Sequence, residues 1–461
     1  MADEPMNFFS QSPRPVGTTE PPPPSSEDDY GDNVVALPPR KRAREGWRHE
    51  WHTSNSGSPL PTLYNALLAL RNHEKFANAI RYDEMACQVV ITARLPGVED
   101  APLPRVVRDA DVLAIQEEMQ VIGLRRVAKS TVQDAIERRA EEQRFHPIRE
   151  YLATLEWDGE KRIAGWLSRY LGVEGGPYAD TIGRLFLLAL IARVMRPGCK
   201  VDYMLILEGP QGEGKSTACR ILAGDWFSDN LPDLSRGDAV RLSMHLRGKW
   251  LIEIAEMSSF NSAEAHTLKE FLTQTEERYT PKYCRNEVRE PRQCLFVGTT
   301  NEGAYLRDAT GARRFWPVKV GTLDLEALAA DRDQLLAEAL VEFRAGAKWW
   351  PDRDFEREHI APEQDARYEA DPWETAIADY LNGGAAMTHA DGTPIVDEFG
   401  REMVQPPIDT VTCNQLLRGP LNMPIERISV REQRRVSAIL VRMGWFQKRA
   451  NKQRYFVRKA E

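Results

Sequence analysis

The chain has little that would place it in a membrane or an oxidising compartment. Its six cysteines (Cys87, Cys199, Cys219, Cys284, Cys294, Cys413) are scattered over 461 residues, with no C-x-x-C pair and no nearby cysteine–histidine cluster. Neither a disulfide framework nor a structural zinc site is expected from that spacing. The longest apolar run, LFLLALIA from Leu185, is bounded by Arg184 and Arg193 and falls far short of the roughly 20 residues that cross a bilayer. It reads as a buried helix, and no membrane partner is expected. No basic stretch followed by an apolar core opens the sequence, so a cytoplasmic rather than a secreted protein is expected. The net charge of −8 excludes a uniformly basic surface and makes any local surplus of positive charge informative.

Composition divides the chain into segments. Residues 1–58 carry TTEPPPPSSEDDYGD and SNSGSP, which bury too little apolar surface to offset their ordering entropy, so a disordered arm is expected. Its RKRAREGWR stretch is either a solvated charge run or a weak nucleic-acid tether. Residues 59–144 read as a small mixed domain. LYNALLAL has helical spacing, ACQVVITARL reads as a strand, and STVQDAIERRAEEQRF opens with Ser130 and Thr131 as candidate caps. A lone D-x-D, Asp109 and Asp111, reads first as a helix start and only secondarily as a metal pair. Residues 145–200 form a helical lead-in, residues 201–350 alternate strands and helices, and residues 351–461 hold a linker and a basic end domain.

The chemistry is concentrated in LILEGPQGEGKSTACRIL, residues 205–222. Gly209, Pro210, Gln211, Gly212, Glu213, Gly214, Lys215, Ser216 and Thr217 satisfy the G-x-x-x-x-G-K-[ST] phosphate-loop pattern between an apolar strand and a helix. Glycines let backbone N–H groups approach phosphate oxygens, and the helix start adds its positive dipole end. Lys215 would reach the β- and γ-phosphates of ATP, and Ser216 would hold Mg²⁺. GKWLIEIAEM is a second apolar strand. Glu256 at its end is the chosen catalytic acid and second metal-side group, and Glu253 is either a supporting residue or solvated. CLFVGTTN is a third strand, ending in Asn301, which would sense the γ-phosphate or hold the attacking water. TGARRFWPV then presents Arg313 and Arg314, candidates for neutralising charge on a phosphoryl group in transfer.

Together FHPIREYL…WDG, RVMRPGCKVDYMLILEGPQGEGKST, WLIEIAEM, ERYTPKY, PRQCLFVGTTN and YLRDATGARRFWPV resemble the virulence-associated protein E family of phages, prophages and mobile islands, over roughly residues 145–350. The resemblance implies an α/β, AAA+-like P-loop ATPase core related to superfamily 3 helicases, which are ring-shaped, ATP-driven DNA motors. It implies a homo-oligomer, expected to be a hexamer, in which Arg313 or Arg314 completes a neighbour's site. It also implies phage or mobile-element replication in a host cell. Ala255 precedes Glu256 where many such motors carry an Asp-Glu pair, leaving metal ligation by that strand open.

In such relatives a hairpin between the acid strand and the asparagine strand grips DNA. Here that segment is ERYTPKYCRNEVREPRQ, with Arg278, Lys282, Tyr283 and Arg285 as candidate contacts to single-stranded DNA, joined by Tyr279, Arg289 and Arg292. An ordinary charged hairpin edge is the other reading. Residues 426–461 carry eleven Lys/Arg against Glu426, Glu432 and Glu461, a basic footprint on an acidic chain. VREQRRVSAILVRMGW puts Val436, Ile439, Leu440 and Met443 on one helical face, and WFQKRANKQRYFV reads as two strands about a basic turn. Helix plus hairpin resembles a winged-helix domain on duplex DNA, with Arg434, Arg435 and Lys452 as candidate contacts. The functional expectation is an ATP-dependent DNA helicase or translocase. The alternative is a nucleotide-switched DNA-binding ATPase that marks an origin or interferes with a competing phage without unwinding. No role is assigned to residues 385–410.

Overall fold

Side-chain alternation along a few short apolar strands builds the centre of this protein. The computed structural model describes residues 46–98, 102–232, 239–257, 262–280, 286–303, 305–306, 312–368, 371–383, 404–450 and 453–458. They fall into two units. The first is Met1–Glu50, whose described part is a 3-10 helix over Gly46–Glu50, and the second is Trp51–Glu461. Most of the expected disordered arm lies outside the described residues. In its last part Thr53 bridges Pro59, and the buried Asn65 amide satisfies this turn. Asn65 accepts from His52 N at 2.9 Å and donates to His52 O at 2.8 Å and Leu60 O at 2.9 Å.

The segment that follows holds α1 (Leu63–Asn72), β1 (Ile80–Asp83), β2 (Gln88–Ile91), β3 (Arg105–Val106), α2 (Asp109–Val121), α3 (Lys129–Glu142) and β4 (Arg144–Phe145). Its sheet runs β3-β2-β1-β4, with only the β1–β4 pair parallel. Helix α3 begins one residue before the expected caps, with Ala128 at the N-cap and no side-chain cap bond. Asp111 is fully buried, accepts from Arg108 N at 2.8 Å and pairs with Arg105. It therefore serves the start of α2, where a carboxylate satisfies an orphan N–H.

The lead-in is helical: α4 (Pro147–Ala153), α5 (Trp166–Leu171) and the 19-residue α6 (Pro177–Met195), which carries the long apolar run and is buried almost all round. Then come β5 (Met204–Glu208), α7 (Lys215–Ala223), β6 (Phe227–Ser228), α8 (Ala239–Leu246), β7 (Leu251–Ile254) and α9 (Ser262–Leu272). A separate antiparallel hairpin, β8 (Glu276–Tyr279) and β9 (Val288–Pro291), precedes β10 (Leu295–Thr300), β11 (Phe315–Lys319) and α10 (Leu325–Arg344). The central sheet has the order β11-β5-β10-β7-β6, and every pair is parallel.

Period-two alternation assigns its side chains to two cores. Leu205, Leu207, Leu251, Leu295, Val297, Trp316 and Val318 pack with α6, α7 and α10, whereas Met204, Ile206, Ile252, Ile254, Phe296 and Phe315 pack with Leu268 and Phe271 of α9. The strands thus form a parallel sheet covered on both faces, as unbroken apolar strands require.

Beyond it, α11 (Arg353–Phe355) continues through one π-helical turn, Glu356–Ile360, into α12 (Ala361–Ala366). The last elements are α13 (Pro372–Asn382), β12 (Thr410–Val411), α14 (Cys413–Arg418), α15 (Val430–Arg442), β13 (Phe446–Ala450) and β14 (Gln453–Val457), with an antiparallel sheet β12-β14-β13. Their own core includes Ile377, Leu381, Leu416, Val436, Ile439, Leu440 and Phe456, with Met443 packed against it. That is the helical face expected for α15. Of residues 385–410, those at 385–403 lie outside the described residues.

His146 joins the first sheet to the root of the β8–β9 hairpin. Its Nδ1 accepts from Arg149 N at 3.2 Å, so Nε2 carries the proton that meets Gln293 Oε1 at 2.7 Å, and Gln293 Nε2 donates to Glu84 O at 3.0 Å. Burial holds the imidazole below its ordinary value of 6.5, against the opposing hydrogen bond to Gln293. The unfolded chain then takes up a proton before the folded one, so this site's stability is complete above 6.5 and is lost as the pH falls through the lowered folded value. Urea unfolding at a series of pH values should show stability declining below pH 6.5, and His146→Asn should flatten that decline.

Candidate functional site

Strand β5 ends at Glu208, and the chain turns through residues 209–214 into α7. Gly212 and Gly214 have φ of 88° and 91°, a region glycine enters without steric cost. A Cβ on Gly209 would lie 2.7 Å from Val320 Cγ2, so the loop root packs too closely against the end of β11 for any side chain. The loop opens on a cavity of about 650 Å³ at the carboxyl edge of the sheet, where ligands of open α/β sheets bind. Gln211, Gly212, Gly214, Lys215, Ser216 and Thr217 line one side; Glu253, Ala255 and Glu256 come from the end of β7, and Thr299, Thr300, Asn301 and Glu302 from the end of β10. Gly209, Pro210 and Glu213 lie in the same loop.

Lys215 is only 7% exposed. Its ammonium donates to Gly209 O at 2.5 Å, Pro210 O at 2.6 Å and Asn301 Oδ1 at 3.3 Å, which uses its three protons. Burial pulls its pKa below the ordinary lysine value, while Glu213 and Glu253 act to hold it up.

Glu253 is buried, not solvated. It shares strand parity with Leu251 and so faces α7. Its Oε1 accepts from Ser216 Oγ at 2.8 Å and Thr299 Oγ1 at 2.7 Å, while Oε2 is buried with no hydrogen-bond partner among the described residues. A buried carboxylate oxygen left without a partner is costly. An oxygen-only set of hydroxyl and carboxylate suits a hard dication such as Mg²⁺, so these residues fit one.

Glu256 lies two residues beyond β7, exposed on the cavity, with φ 53°. That left-handed conformation costs a non-glycine residue roughly 1–2 kcal/mol. The strand is shorter than its sequence suggests, so the carboxylate touching Ser216 belongs to Glu253. Glu256, expected beside Ser216 at the metal position, lines the same cavity.

Arg313 and Arg314 are not brought to this cavity. They form a 3-10 turn immediately before β11, whose Phe315 aligns with Met204 at the start of β5. The phosphate-loop sequence follows the other end of β5, so the arginines occupy the opposite edge of the sheet. Arg313 is exposed and Arg314 half-buried.

The DNA candidates divide. The β8–β9 hairpin exists, but Lys282, Tyr283 and Arg285 lie outside the described residues. Arg278 is exposed and pairs with Glu276. Tyr279 is buried and donates to Glu290 at 3.0 Å, and Arg292 is buried in ion pairing with Glu277. Neither is available for a nucleic acid. In the last domain Arg434 and Arg435 are both exposed, and Arg435 is also held by Asp371 at 2.7 Å and lies 3.8 Å over the Trp373 ring. Lys452 lies outside the described residues. Arg449 stands directly opposite Arg454 in the β13–β14 ladder, a like-charge pair that is destabilising unless an anion lies nearby.

Sequence reading passed over Glu208, Tyr305 and Arg367, which interlock behind the loop. Only the unusual acid closing an apolar strand before Gly209 signals them.

Fold and site together define a mixed α/β protein with a parallel five-stranded sheet and a glycine-rich loop at its carboxyl edge. More particularly, residues 152–369 match the virulence-associated protein E-like domain. Among solved structures, an A form apo structure of the NrS-1 C-terminal region has a TM-score of 0.45 at 12% identity and covers 87% of this chain and 100% of that one. A second apo structure of that region, residues 305–718, has a TM-score of 0.44 at 12% identity and covers 82% of this chain and 95% of that one. No curated protein matches the chain.

The orphan oxygen yields a measurement. In chelator, Glu253→Gln should unfold at a temperature equal to or above that of the parent, because it removes a buried charge. If Mg²⁺ with nucleotide raises the Tm of the parent, that rise should be lost in Glu253→Gln.

Proposed function

We propose that this chain is an ATP-dependent DNA translocase or helicase that works as a ring, expected to be hexameric, in phage or mobile-element replication. The observation that carries the reading is the convergence of Lys215, Ser216, Glu253 and Asn301, from three separate elements, on one cavity at the end of a glycine-rich loop. The virulence-associated protein E-like domain supports it. So does an AAA+-like reading of the parallel sheet with helices on both faces.

Lys215 would leave the loop carbonyls for the β- and γ-phosphates of ATP, exchanging neutral acceptors for charged ones. Ser216 and Glu253 would hold Mg²⁺, which supplies charge neutralisation between the phosphates. Glu256, exposed on the cavity in a strained conformation, would orient the attacking water, and Asn301 would report the γ-phosphate to Lys215. Arg313 and Arg314, remote from their own chain's cavity, would serve the cavity of an adjacent copy. In the last domain the order helix, strand, helix, helix, hairpin supports a winged-helix-like reading, with Arg434 on the exposed face of α15 and Arg449 and Arg454 on the hairpin meeting duplex DNA.

ATP hydrolysis by the purified chain should be stimulated by single-stranded DNA at low salt; turnover indifferent to DNA would refute the motor. Lys215→Ala and the double substitution Arg313→Ala/Arg314→Ala should each lose about 10³-fold or more in turnover. Mixing the two inactive chains should recover part of it, since some interfaces then combine an intact loop with intact arginines. A forked duplex separates the motor from a nucleotide-switched DNA-binding protein, which would bind the fork without parting its strands. Arg449→Ala/Arg454→Ala should weaken duplex binding evenly across sequences and reduce the salt slope by about 2.

A further inference from the structure

The Glu208 carboxylate is the last side chain before the phosphate loop, and it faces away from α7 into the core on the other side of the sheet. Both of its oxygens are taken. Oε1 accepts from Tyr305 Oη at 2.8 Å and Arg367 Nε at 3.0 Å, and Oε2 accepts from Arg367 Nη2 at 3.0 Å. Arg367, at the end of α12, also pairs with Glu363, and its carbonyl accepts from Tyr305 N and Leu306 N, both at 3.1 Å. One residue thus holds the root of the nucleotide loop with its side chain. With its backbone it holds Tyr305 and Leu306, which follow Asn301.

The next residue reaches the last domain. Tyr368 bridges Leu306, and its ring lies 3.1 Å from the guanidinium of Arg442, the final residue of α15. Arg442 also meets Glu374 of α13 at 3.5 Å. Two consecutive residues therefore span from the end of β5 to the helix that carries Arg434.

Stability alone does not account for this arrangement. A buried arginine–glutamate pair is commonly no better than packed apolar residues of the same volume, and its best-attested use is to fix one arrangement among alternatives. Here the pair fixes the loop root, the post-Asn301 segment and the end domain against one another.

We propose that Arg367 is a positioning residue for the nucleotide loop and that Arg367 with Tyr368 is the joint through which DNA held by the C-terminal domain acts on that loop. The inference rests on the nucleotide and DNA reading above. Coupling carried this way is a difference in free energy between two arrangements and is measurable as such.

The test uses the full chain and reads the KM for ATP and kcat without DNA, then the ratio of turnover with and without a saturating thymidine oligonucleotide. Tyr305→Phe and Arg367→Lys should raise the KM for ATP about three- to tenfold with a smaller change in kcat, because they loosen the loop root without touching substrate. Arg442→Gln and Tyr368→Leu should keep DNA-free kcat/KM and Tm near the parent's, yet lower the DNA stimulation ratio about fivefold or more. Tyr305→Phe combined with Arg442→Gln should lose no more stimulation than the more affected single variant, the non-additivity of a shared connection. A stimulation ratio in Arg442→Gln and Tyr368→Leu matching the parent's overturns the joint while leaving the motor reading intact. A parent with no nucleotide binding or no DNA stimulation overturns both. Should Arg367→Lys not fold, Tyr305→Phe and Arg442→Gln still decide the matter.

Discussion

One carboxylate holds the candidate site together. Glu253 Oε1 receives the hydroxyls of Ser216 and Thr299, so the start of α7 and the tips of β7 and β10 meet at a single oxygen. The meeting depends on register. Val297 pairs with Glu253 across β10–β7, and Thr299 lies one pleat further along on the same face. A slip of one residue in either strand would turn one of these side chains to the opposite face. There it would meet the core of Ile206, Ile252, Ile254 and Phe296. The apolar alternation that builds the sheet therefore also aims Glu253. Packing, rather than polar contacts, places the chemistry.

That dependence explains which parts of the molecule were readable from its residues. Local signals sufficed where one segment settles its own structure: the glycine loop between β5 and α7, the buried run in α6, and the faces of α15. The same reasoning extended to the acids separates Glu253 from Glu256 by strand face. Leu251 and Glu253 share a face in a strand that ends at Ile254, and the face opposite α9 is the one that α7 covers. The apolar stretch reads as a strand that runs as far as Glu256, but β7 ends at Ile254. The left-handed backbone of Glu256, which ends the strand early, has no local sequence signal.

Residues that depend on distant partners were not readable. Tyr279, Arg292 and Arg435 have the composition of outward, nucleic-acid-facing groups. Each is held by an acid, Glu290, Glu277 and Asp371 respectively, that sequence spacing does not single out; Tyr279 and Arg292 are buried as well, while Arg435 stays exposed. Asn65 acts similarly, ordering the end of an arm whose composition argues for disorder, because one buried amide satisfies backbone groups on both sides of the turn. Hydrogen-bond satisfaction of this kind overrides composition wherever a buried donor or acceptor would otherwise be stranded.

The buried charges divide by whether the backbone demands them. Arg193 donates to the carbonyls of Cys199 and Val201, and Glu338 accepts from the N–H groups of Arg162 and Ile163. Both close irregular segments whose polar groups need partners inside the protein. Arg292 is mixed, joining the Phe271 carbonyl to Glu277. Glu208 belongs to neither kind: among the described residues its side chain receives only the side chains of Tyr305 and Arg367, and no backbone N–H. A charge buried without a backbone debt, at the last position before a phosphate-loop sequence, answers to the geometry of that loop. It fixes where the loop begins, as Glu253 fixes where it ends.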